Sequence, residues 1–315
     1  MESKIVAIGG GTGLSTLLRG LKAYTSQLTA VVTVADDGGS SGRLRRGLGV
    51  LPPGDFRQCI SALAEAEPLM SQLFEYRFGE GSGLDGHSFG NLFLVALSGI
   101  TGSFESALRE ASRVLAVRGR ILPATLHNLV LCAELTNGSI VCGESKLVQA
   151  NSKIHRVFLE PEDSPAYPEV IQAILEANAI VIGPGSLYTS ILPNLLVRDI
   201  TRAIQASTGL KIYVCNVASQ PGETDNYNLS DYLTAIRRHV VSLPLDAVLV
   251  NSNFTPNIPA EWKVSYVSID PDAAKFKIPV IEADLVDEQR PTRHDSAKLA
   301  RTLMEFISGE KPLIR

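Results

Sequence analysis

Cysteines are few and widely spaced in this sequence. The 315 residues contain four of them, with no CxxC pair and no spacing typical of zinc ligands. Zinc sites and small disulfide scaffolds both need closely grouped cysteines, and the five histidines form no pair that could replace them. We therefore expect no zinc centre and reduced, mostly buried thiols in a cytoplasmic protein. The cysteines are Cys59, Cys132, Cys142 and Cys215.

The chain also lacks the features of membrane proteins and of general nucleic-acid-binding proteins. No apolar run reaches the ~20 residues that a membrane-spanning helix needs, and no signal-peptide pattern precedes "KIVAIGG" (4–10). The 33 acidic residues outnumber the 29 basic ones, for a net charge of −4. We therefore expect neither a membrane nor a nucleic acid as a partner.

What the sequence does contain is a regular alternation of strand and helix patterns. "KIVAIGG" (4–10), "LSTLLRGLKAY" (14–24) and "LTAVVTVADD" (28–37) read as strand, helix and strand. This order predicts an α/β, Rossmann-like fold with a mainly parallel sheet flanked by helices, and we expect a single domain over 1–315. Further strands are predicted at "AIVIGPGS" (179–186), "KIYVCNVA" (211–218) and "DAVLVNS" (246–252).

A small β-rich insertion is predicted at about 120–160. An "NGS" turn at 137–139 indicates a hairpin, and "HRVFLEP" (155–161) extends it. Outside this insertion, apolar residues recur at helical spacing. Helices are predicted at 59–67, 90–100, 104–117, 229–240 and 294–307.

The first glycine-rich segment, "GGGTGLS" (9–15), follows a strand and opens a helix. Glycines let the backbone approach an anion, and the first N–H groups of a helix attract it. The segment is neither a Walker A motif nor a complete GxGxxG, and it is also compatible with a structural turn capped by Thr12 or Ser15. We predict that it binds phosphate or nucleotide through Gly10, Gly11, Thr12, Gly13 and Leu14.

The second segment, "DDGGSSGRLRRG" (36–47), follows the second strand. Its two carboxylates could hold ribose hydroxyls or Mg²⁺, and its hydroxyls and guanidinium groups suit phosphate oxygens. A solvated turn with a capping aspartate is the structural alternative. We predict ligand contacts from Asp36, Asp37, Gly38, Gly39, Ser40, Ser41 and Arg43, and metal binding by Asp36 and Asp37.

Two further segments stand at predicted helix starts. "PPGDFRQC" (52–59) places Asp55 beside Arg57, and "GHSFGNLFL" (86–94) presents His87 and Asn91. These four side chains are predicted ligand contacts, although a helix cap, a surface charge and a structural histidine would explain them equally well. His87 is suited to act as an acid, a base or a phosphate donor, and Asn91 to contact a base edge, a sugar hydroxyl or a metal.

A third glycine loop, "GPGSLYTSILPN" (183–194), follows another predicted strand. Polar loops at the carboxyl ends of parallel strands are where α/β proteins bind ligands. The alternative is a turn whose Ser186 caps a helix that Pro193 interrupts. We predict ligand contacts from Gly183, Gly185, Ser186 and Tyr188, and from Asn216 in the polar loop 216–231.

Taken in order, these segments resemble the CofD/YvcK superfamily, most closely the YvcK-like gluconeogenesis factors. The resemblance is carried also by "LAVRGRILPAT" (115–125), "GESKL" (143–147) and "QPGETDNY" (220–227), and it runs from about residue 4 to "RHDSAKLA" (293–300). Each motif alone is weak, but the ordered set is specific.

The resemblance implies a cytoplasmic protein that binds a nucleotide sugar of the UDP-N-acetylglucosamine type. Such a protein would regulate a partner that controls carbon flux to the cell wall and cell shape. The other branch implies a Mg²⁺-dependent transferase like 2-phospho-L-lactate transferase, in which Asp36 and Asp37 match the positions near metal and phosphates. Homo-oligomerisation is left open. No tightly bound redox cofactor is expected, because the incomplete fingerprint argues against an NAD-dependent oxidoreductase.

Overall fold

The computed structural model describes residues 2–65, 68–81, 83–147, 149–150 and 152–310. Its strands belong to one large sheet and two small ones, and both faces of the central strands are buried. The strands are β1 (Ile5–Gly9), β2 (Leu28–Val32), β3 (Arg120–Pro123), β4 (Val130–Leu135), β5 (Ile140–Cys142), β6 (Ile154–Glu160), β7 (Ala179–Ile182), β8 (Leu210–Val214), β9 (Ala247–Asn251), β10 (Val280–Ala283), β11 (Val286–Asp287) and β12 (Arg290–His294).

The large sheet has seven parallel strands in the order β10-β9-β8-β7-β1-β2-β3, which confirms the predicted fold class. From β1 the chain builds outward through β2 and β3, and it then returns to the other side of β1 with β7. The strand order therefore reverses between β1 and β7. In open parallel sheets the crevice at such a reversal is the usual ligand site, so the fold places the first and third glycine loops side by side.

Helices pack on both faces of this sheet, because strands that are buried on both faces need cover on both. The helices are α1 (Gly11–Leu21), α2 (Gly39–Leu48), α3 (Gly54–Leu63), α4 (Pro68–Glu75), α5 (Phe89–Thr101), α6 (Phe104–Val114), α7 (Glu144–Leu147), α8 (Pro168–Glu176), α9 (Leu192–Leu196), α10 (Arg198–Ala206), α11 (Leu229–His239) and α12 (Ser296–Ile307).

No single helix in the described parts of the chain is long and apolar enough to cross a membrane. The pair α5 and α6 meets the length and composition criteria only when taken together, and the two helices are bent 119° apart.

The β-rich insertion begins later than predicted. Residues 120–123 form the edge strand β3 of the large sheet, and the separate antiparallel sheet β5-β4-β6 spans 130–160. The hairpin at the "NGS" turn and its extension by β6 are both present. The sequence pattern does not separate β3 from the inserted sheet, because β3 is only four residues long and β4 follows it after a short connection.

Two of the four cysteines are not free thiols, contrary to the prediction. Cys132 on β4 and Cys142 on β5 are directly opposed in the hairpin and form a disulfide. Cys59 and Cys215 are free and buried, as expected. The expectation of reduced thiols rests on the spacing of the cysteines along the sequence. That spacing does not show that the register of the predicted hairpin brings Cys132 and Cys142 together.

Two local predictions also change. The segment 36–47 is not one loop, because α2 begins at Gly39 and contains its serines and arginines. The helix predicted at 59–67 is α3, which begins earlier, at Gly54, and ends at Leu63. Residues 66 and 67 lie outside the described residues.

Candidate functional site

A cavity of about 600 Å³ opens at the carboxyl edge of the large sheet, where the strand order reverses. Its size suits a ligand as large as a nucleotide. The turn after β1, the loop after β7 and the polar loop after β8 contribute Gly10, Gly185 and Asn216 to its lining. The first, third and polar segments predicted from the sequence thus converge on one space.

The turn between β1 and α1 forms one end of the cavity. The first turn of α1 contains no acidic residue and no side-chain cap, so its positive dipole end favours an anion. The Gly11 N–H already hydrogen-bonds the Asp55 carboxyl, which leaves the next N–H groups of the turn for a ligand. Gly11 has a left-handed backbone with φ +59°, which favours glycine. A side chain on Gly13 would overlap the backbone of Pro184, so glycine is also what allows the two loops to touch.

Carboxylates form the floor next to this turn. Asp55 at the start of α3, Glu144 on α7 and Glu223 in the polar loop all line the cavity. Burial raises the pKa of Asp55 to about 7, with a further contribution from the neighbouring charge of Asp36. Burial also raises the pKa of Glu223 to about 7, and burial followed by Asp36 raises that of Glu144 well above its usual range.

Two polar atoms on this floor have no hydrogen-bond partner among the described residues. They are Oε1 of Gln58 and Oε2 of Glu223, and both atoms are buried. Buried acceptors without donors are costly, so the site favours a ligand or cation that supplies positive charge or hydrogen bonds.

Among the described residues that line the cavity, Arg293 on β12 is the one side chain with a permanent positive charge. Its Nη1 donates to Thr12 Oγ1 at 2.6 Å, which holds the guanidinium beside the glycine turn. His294 is buried and its Nε2 lies 3.2 Å from the Cys215 carbonyl oxygen. Burial lowers the pKa of His294 to about 4, so it adds no charge near neutral pH.

Part of the lining is apolar. This apolar wall consists of Val217 and Ala218 after β8 and of Trp262 and Val264 from the segment 252–279 between β9 and β10. The cavity therefore combines glycines and carboxylates with an apolar wall.

The second predicted segment lies behind the floor. Asp36 and Asp37 are not in the lining. Oδ1 of Asp36 accepts from Gly38 N at 2.8 Å, and Oδ1 of Asp37 accepts from Ser145 N at 2.9 Å. Burial raises the pKa of Asp36, and its charge acts on Asp55 and Glu144 in turn.

The arginines of this segment contact protein backbone. Arg45 is buried and donates to the Asp36 and Leu129 carbonyl oxygens, while Arg46 donates to that of Asp37 at 3.4 Å. Arg43 donates to the Asp85 carbonyl oxygen. They hold the loop in place from outside the cavity.

Ser40, His87 and Asn91 form a separate polar group. Ser40 Oγ lies 2.9 Å from His87 Nδ1 and accepts from Asn91 Nδ2 at 2.9 Å. Burial, and then the charges of Arg43 and Arg77, lower the pKa of His87, which favours a neutral ring that accepts from the serine. This group ties the start of α2 to the start of α5.

The remaining predicted residues fall into two sets. Leu14 and Tyr188 are core side chains, and Arg57 forms an ion pair with Glu75. Ser41 Oγ accepts from Gly54 N at 3.0 Å. These four residues lie outside the cavity lining, as do Gly38, Gly39 and Gly183. The predicted residues that do line the cavity are Gly10, Gly11, Thr12, Gly13, Asp55, Gly185, Ser186 and Asn216.

Sequence reasoning did not select several residues that the fold brings to the cavity. Glu144 belongs to "GESKL", a motif of the family resemblance for which the sequence predicts no ligand contact. Trp262, the only tryptophan of the chain, also lines the cavity. Glu223 belongs to the polar loop 216–231, from which only Asn216 is predicted as a ligand contact. Arg293 comes from a short strand near the end of the chain and begins "RHDSAKLA", which marks the end of the family resemblance but carries no predicted role.

Comparison with known proteins identifies the family of the chain. A sequence model described as "2-phospho-L-lactate transferase CofD" matches residues 5–286. The chain belongs to the CofD family. The resemblance predicted from the motifs is confirmed, and the match includes every element around the cavity up to β11.

Named relatives in bacteria place it among the gluconeogenesis factors of the CofD/YvcK superfamily. It is 50% identical to a "Putative gluconeogenesis factor" of Clostridium acetobutylicum, over 98% of this chain and 70% of that protein. It is 47% identical to the "Gluconeogenesis factor" of Bacillus subtilis, over 97% and 98%. A crystal structure of a UPF0052 family member from Bacillus halodurans matches with a TM-score of 0.92 at 47% identity, over 97% and 99%.

Proposed function

We propose that this member of the CofD family is a cytoplasmic regulatory protein that binds a nucleotide sugar of the UDP-N-acetylglucosamine type. Ligand binding would control its association with a protein partner and so adjust carbon flux to the cell wall and cell shape. The single observation that carries the proposal is the cavity at the strand reversal. It combines an open helix N-terminus, a size of about 600 Å³ and one arginine held beside the glycine turn.

The diphosphate of such a ligand fits the glycine turn. Phosphate oxygens would accept from N–H groups in the first turn of α1, beginning at Thr12, and from the guanidinium of Arg293. Gly10 has no room for a side chain, because a Cβ there would come within 2.5 Å of Asp55 Oδ2. Backbone and carboxylate are thus close enough to act on one ligand.

The same geometry supports a divalent cation. In their ionised forms Asp55, Glu144 and Glu223 would repel a diphosphate, and Arg293 alone would not balance them. Their raised pKa values mean that a bound cation would also favour their ionisation. Mg²⁺ is a hard cation that takes carboxylate, water and phosphate oxygens, and when bound it would neutralise both sets of charges. Asp55 and Glu144, which line the cavity, are the carboxylates that would hold it, whereas the sequence-predicted ligands Asp36 and Asp37 lie outside the lining and act on the cluster through their charge.

Binding is tested by thermal unfolding and calorimetry with UDP-N-acetylglucosamine at millimolar concentration, with and without Mg²⁺. Any ligand of the native state raises the melting temperature, and we expect a larger rise with Mg²⁺ present. N-acetylglucosamine, which lacks the diphosphate, is the control and should give no rise. Native mass spectrometry of the freshly purified protein would name a retained ligand. The proposal fails if neither method detects binding of any nucleotide.

A second function is favoured by the carboxylates themselves. Groups with strongly raised pKa values next to a phosphate-sized space are typical of catalytic sites. They suit a Mg²⁺-dependent transferase acting at a nucleotide diphosphate linkage, like the enzyme after which the family model is described. The carboxylates would hold the metal, and the turn at Gly11 would bind the phosphate charge as it develops.

Turnover separates the two functions. A transferase should form product from a nucleotide-linked substrate only with Mg²⁺, and Asp55→Asn should abolish that product because it removes a cavity carboxylate that would hold the metal. Asp272→Asn, at an exposed position in a surface pair with Lys275, is the matched control and should leave the rate unchanged. The absence of turnover with any nucleotide-linked substrate, combined with tight binding, would leave the regulatory function.

A further inference from the structure

The apolar wall of the cavity contains the only tryptophan of the chain. Trp262 ends a short 3₁₀ turn, Ala260–Trp262, in the segment between β9 and β10. It lines the cavity, yet 47% of its surface is exposed. Large aromatic side chains gain most from burial, so an indole left half open on a ligand cavity is a surface available to a ligand.

The wall that carries Trp262 is held rigidly in place. Val267 N donates to the Val217 carbonyl oxygen at 3.0 Å, and Ser219 N donates to that of Ser265 at 2.8 Å. Ser265 N donates to Ser219 Oγ at 3.0 Å. These bonds join the segment behind Trp262 to the loop after β8, so both parts of the wall are positioned before a ligand arrives, which lowers the entropic cost of binding.

The side chains beside this wall favour a flat ring over a group rich in hydroxyls. Gln220 Nε2 donates to Ser186 Oγ at 2.8 Å, and Gln220 Oε1 accepts from Asn216 Nδ2 at 3.2 Å. Because these polar groups already bond one another, few remain for sugar hydroxyls. The two faces of a nucleobase need apolar contact instead, and Val264 and Trp262 provide it.

The structure assigns this wall as a nucleobase subsite in which the indole of Trp262 stacks on the base of the bound nucleotide. This inference rests on the proposed function, since it concerns the orientation of a nucleotide in the same cavity. The diphosphate lies at the glycine turn and the base at the wall of Val217, Ala218, Trp262 and Val264. The sugar then points toward the carboxylates. Trp262 acts here as a specificity-determining residue.

Calorimetry with three ligands tests the orientation: UDP-N-acetylglucosamine, UDP, and N-acetylglucosamine 1-phosphate, which has no base. Stacking of a base on an aromatic side chain corresponds to roughly a tenfold to 100-fold change in affinity. Trp262→Ala should weaken the two uridine ligands by that same factor and leave the sugar phosphate within about twofold. Trp262→Phe should restore most of the affinity, because a smaller aromatic face remains.

A second readout uses the protein's own fluorescence. Since Trp262 is the only tryptophan, all tryptophan emission reports on this wall. UDP should quench or shift the emission of the unmodified protein, whereas N-acetylglucosamine 1-phosphate should not. Phe254→Ala is the matched control, because Phe254 is a similarly exposed aromatic of the same segment that packs on Tyr266 without lining the cavity. It should leave all three affinities unchanged.

The possible outcomes distinguish a failure of this inference from a failure of the proposed function on which it rests. If the unmodified protein binds UDP-N-acetylglucosamine and Trp262→Ala binds each of the three ligands as tightly as the unmodified protein does, the base subsite is wrong and the proposed function stands. If Trp262→Ala weakens the sugar phosphate and spares UDP, the wall holds the sugar and the assigned orientation is reversed. If the unmodified protein binds no nucleotide, both the function and the subsite fall.

Discussion

Replacing Asp55 by asparagine should stabilise the ligand-free protein at neutral and alkaline pH. The carboxylate of Asp55 is surrounded by protein on most sides and lies near the charge of Asp36. Asparagine has almost the same shape and no charge. The substitution therefore removes an electrostatic cost of folding while leaving the packing at the glycine turn nearly unchanged.

The size of the effect follows from the pKa of the carboxyl, which is 3.8 in its ordinary state and about 7 in the folded protein. A raised pKa means that the folded state binds the proton more tightly, so the contribution of Asp55 to stability falls as pH rises from 3.8 to about 7 and is constant above that. From about pH 5 to about pH 8 the free energy of unfolding contributed by Asp55 falls by at most roughly 2 to 3 kcal/mol. This figure is an upper bound because cavity water still reaches part of the carboxyl.

Urea unfolding at several pH values measures this directly. The free energy of unfolding of the unmodified protein should fall by that amount between about pH 5 and about pH 8 relative to Asp55→Asn. Other acids in the cluster, among them Glu144 and Glu223, titrate in both proteins, so the difference between the two curves reports Asp55 together with its coupling to Glu144. The m-value should be the same in both.

Two results would refute the reasoning. Parallel stability curves for the two proteins would show that Asp55 has an ordinary pKa and that its surroundings are well solvated. A similar gain from Asp272→Asn, at an exposed position, would show that net charge rather than the buried cluster sets the pH dependence. Either would also weaken the case for a cation at this site.

Three further predictions concern other parts of the fold. Gly13→Ala should lower the free energy of unfolding by about 1–3 kcal/mol in urea, because its methyl group would overlap the Pro184 backbone, and an unchanged midpoint would contradict the close approach. Arg293→Ala should weaken UDP binding about tenfold to 100-fold by calorimetry, with Arg293→Lys intermediate; unaltered affinity would place the phosphates elsewhere. Thiol titration of the unfolded, unreduced protein should find two free thiols per chain, since Cys132 and Cys142 are joined, whereas four would mean that the hairpin is reduced.

Much of the large sheet was predictable because its strands are short aliphatic runs followed by glycine turns. β1, β2, β7, β8 and β9 all end in such turns or in polar loops, and their order along the chain implies parallel pairing. The edge strands were not separable in the same way. β3 and β10 are four residues each and carry no distinctive pattern, so their membership of the sheet is decided by tertiary packing.

The candidate site divides along a similar boundary. Gly10 to Gly13 and Gly185 were found because a strand, a glycine turn and a helix are adjacent in sequence, and local chemistry predicts an anion site there. Trp262 and Arg293 reach the cavity from distant segments without a local pattern of their own. Their contribution exists only because β9 and β12 bring those segments to the same edge of the structure.

The arginines at 43, 45 and 46 explain why a segment rich in phosphate-binding residue types does not itself line the cavity. Arg45 and Arg46 donate to the carbonyl oxygens of Asp36 and Asp37, so their hydrogen bonds fix the loop that holds the two acids behind the floor. With these cations directed away, positive charge inside the cavity comes from Arg293 and from the start of α1. Ionised carboxylates beside an anionic ligand favour a bound cation, and both proposed functions share this feature. On the proposals made above, regulation and transfer would use the same contacts to a diphosphate, and they would differ in whether the site also brings an acceptor hydroxyl to it.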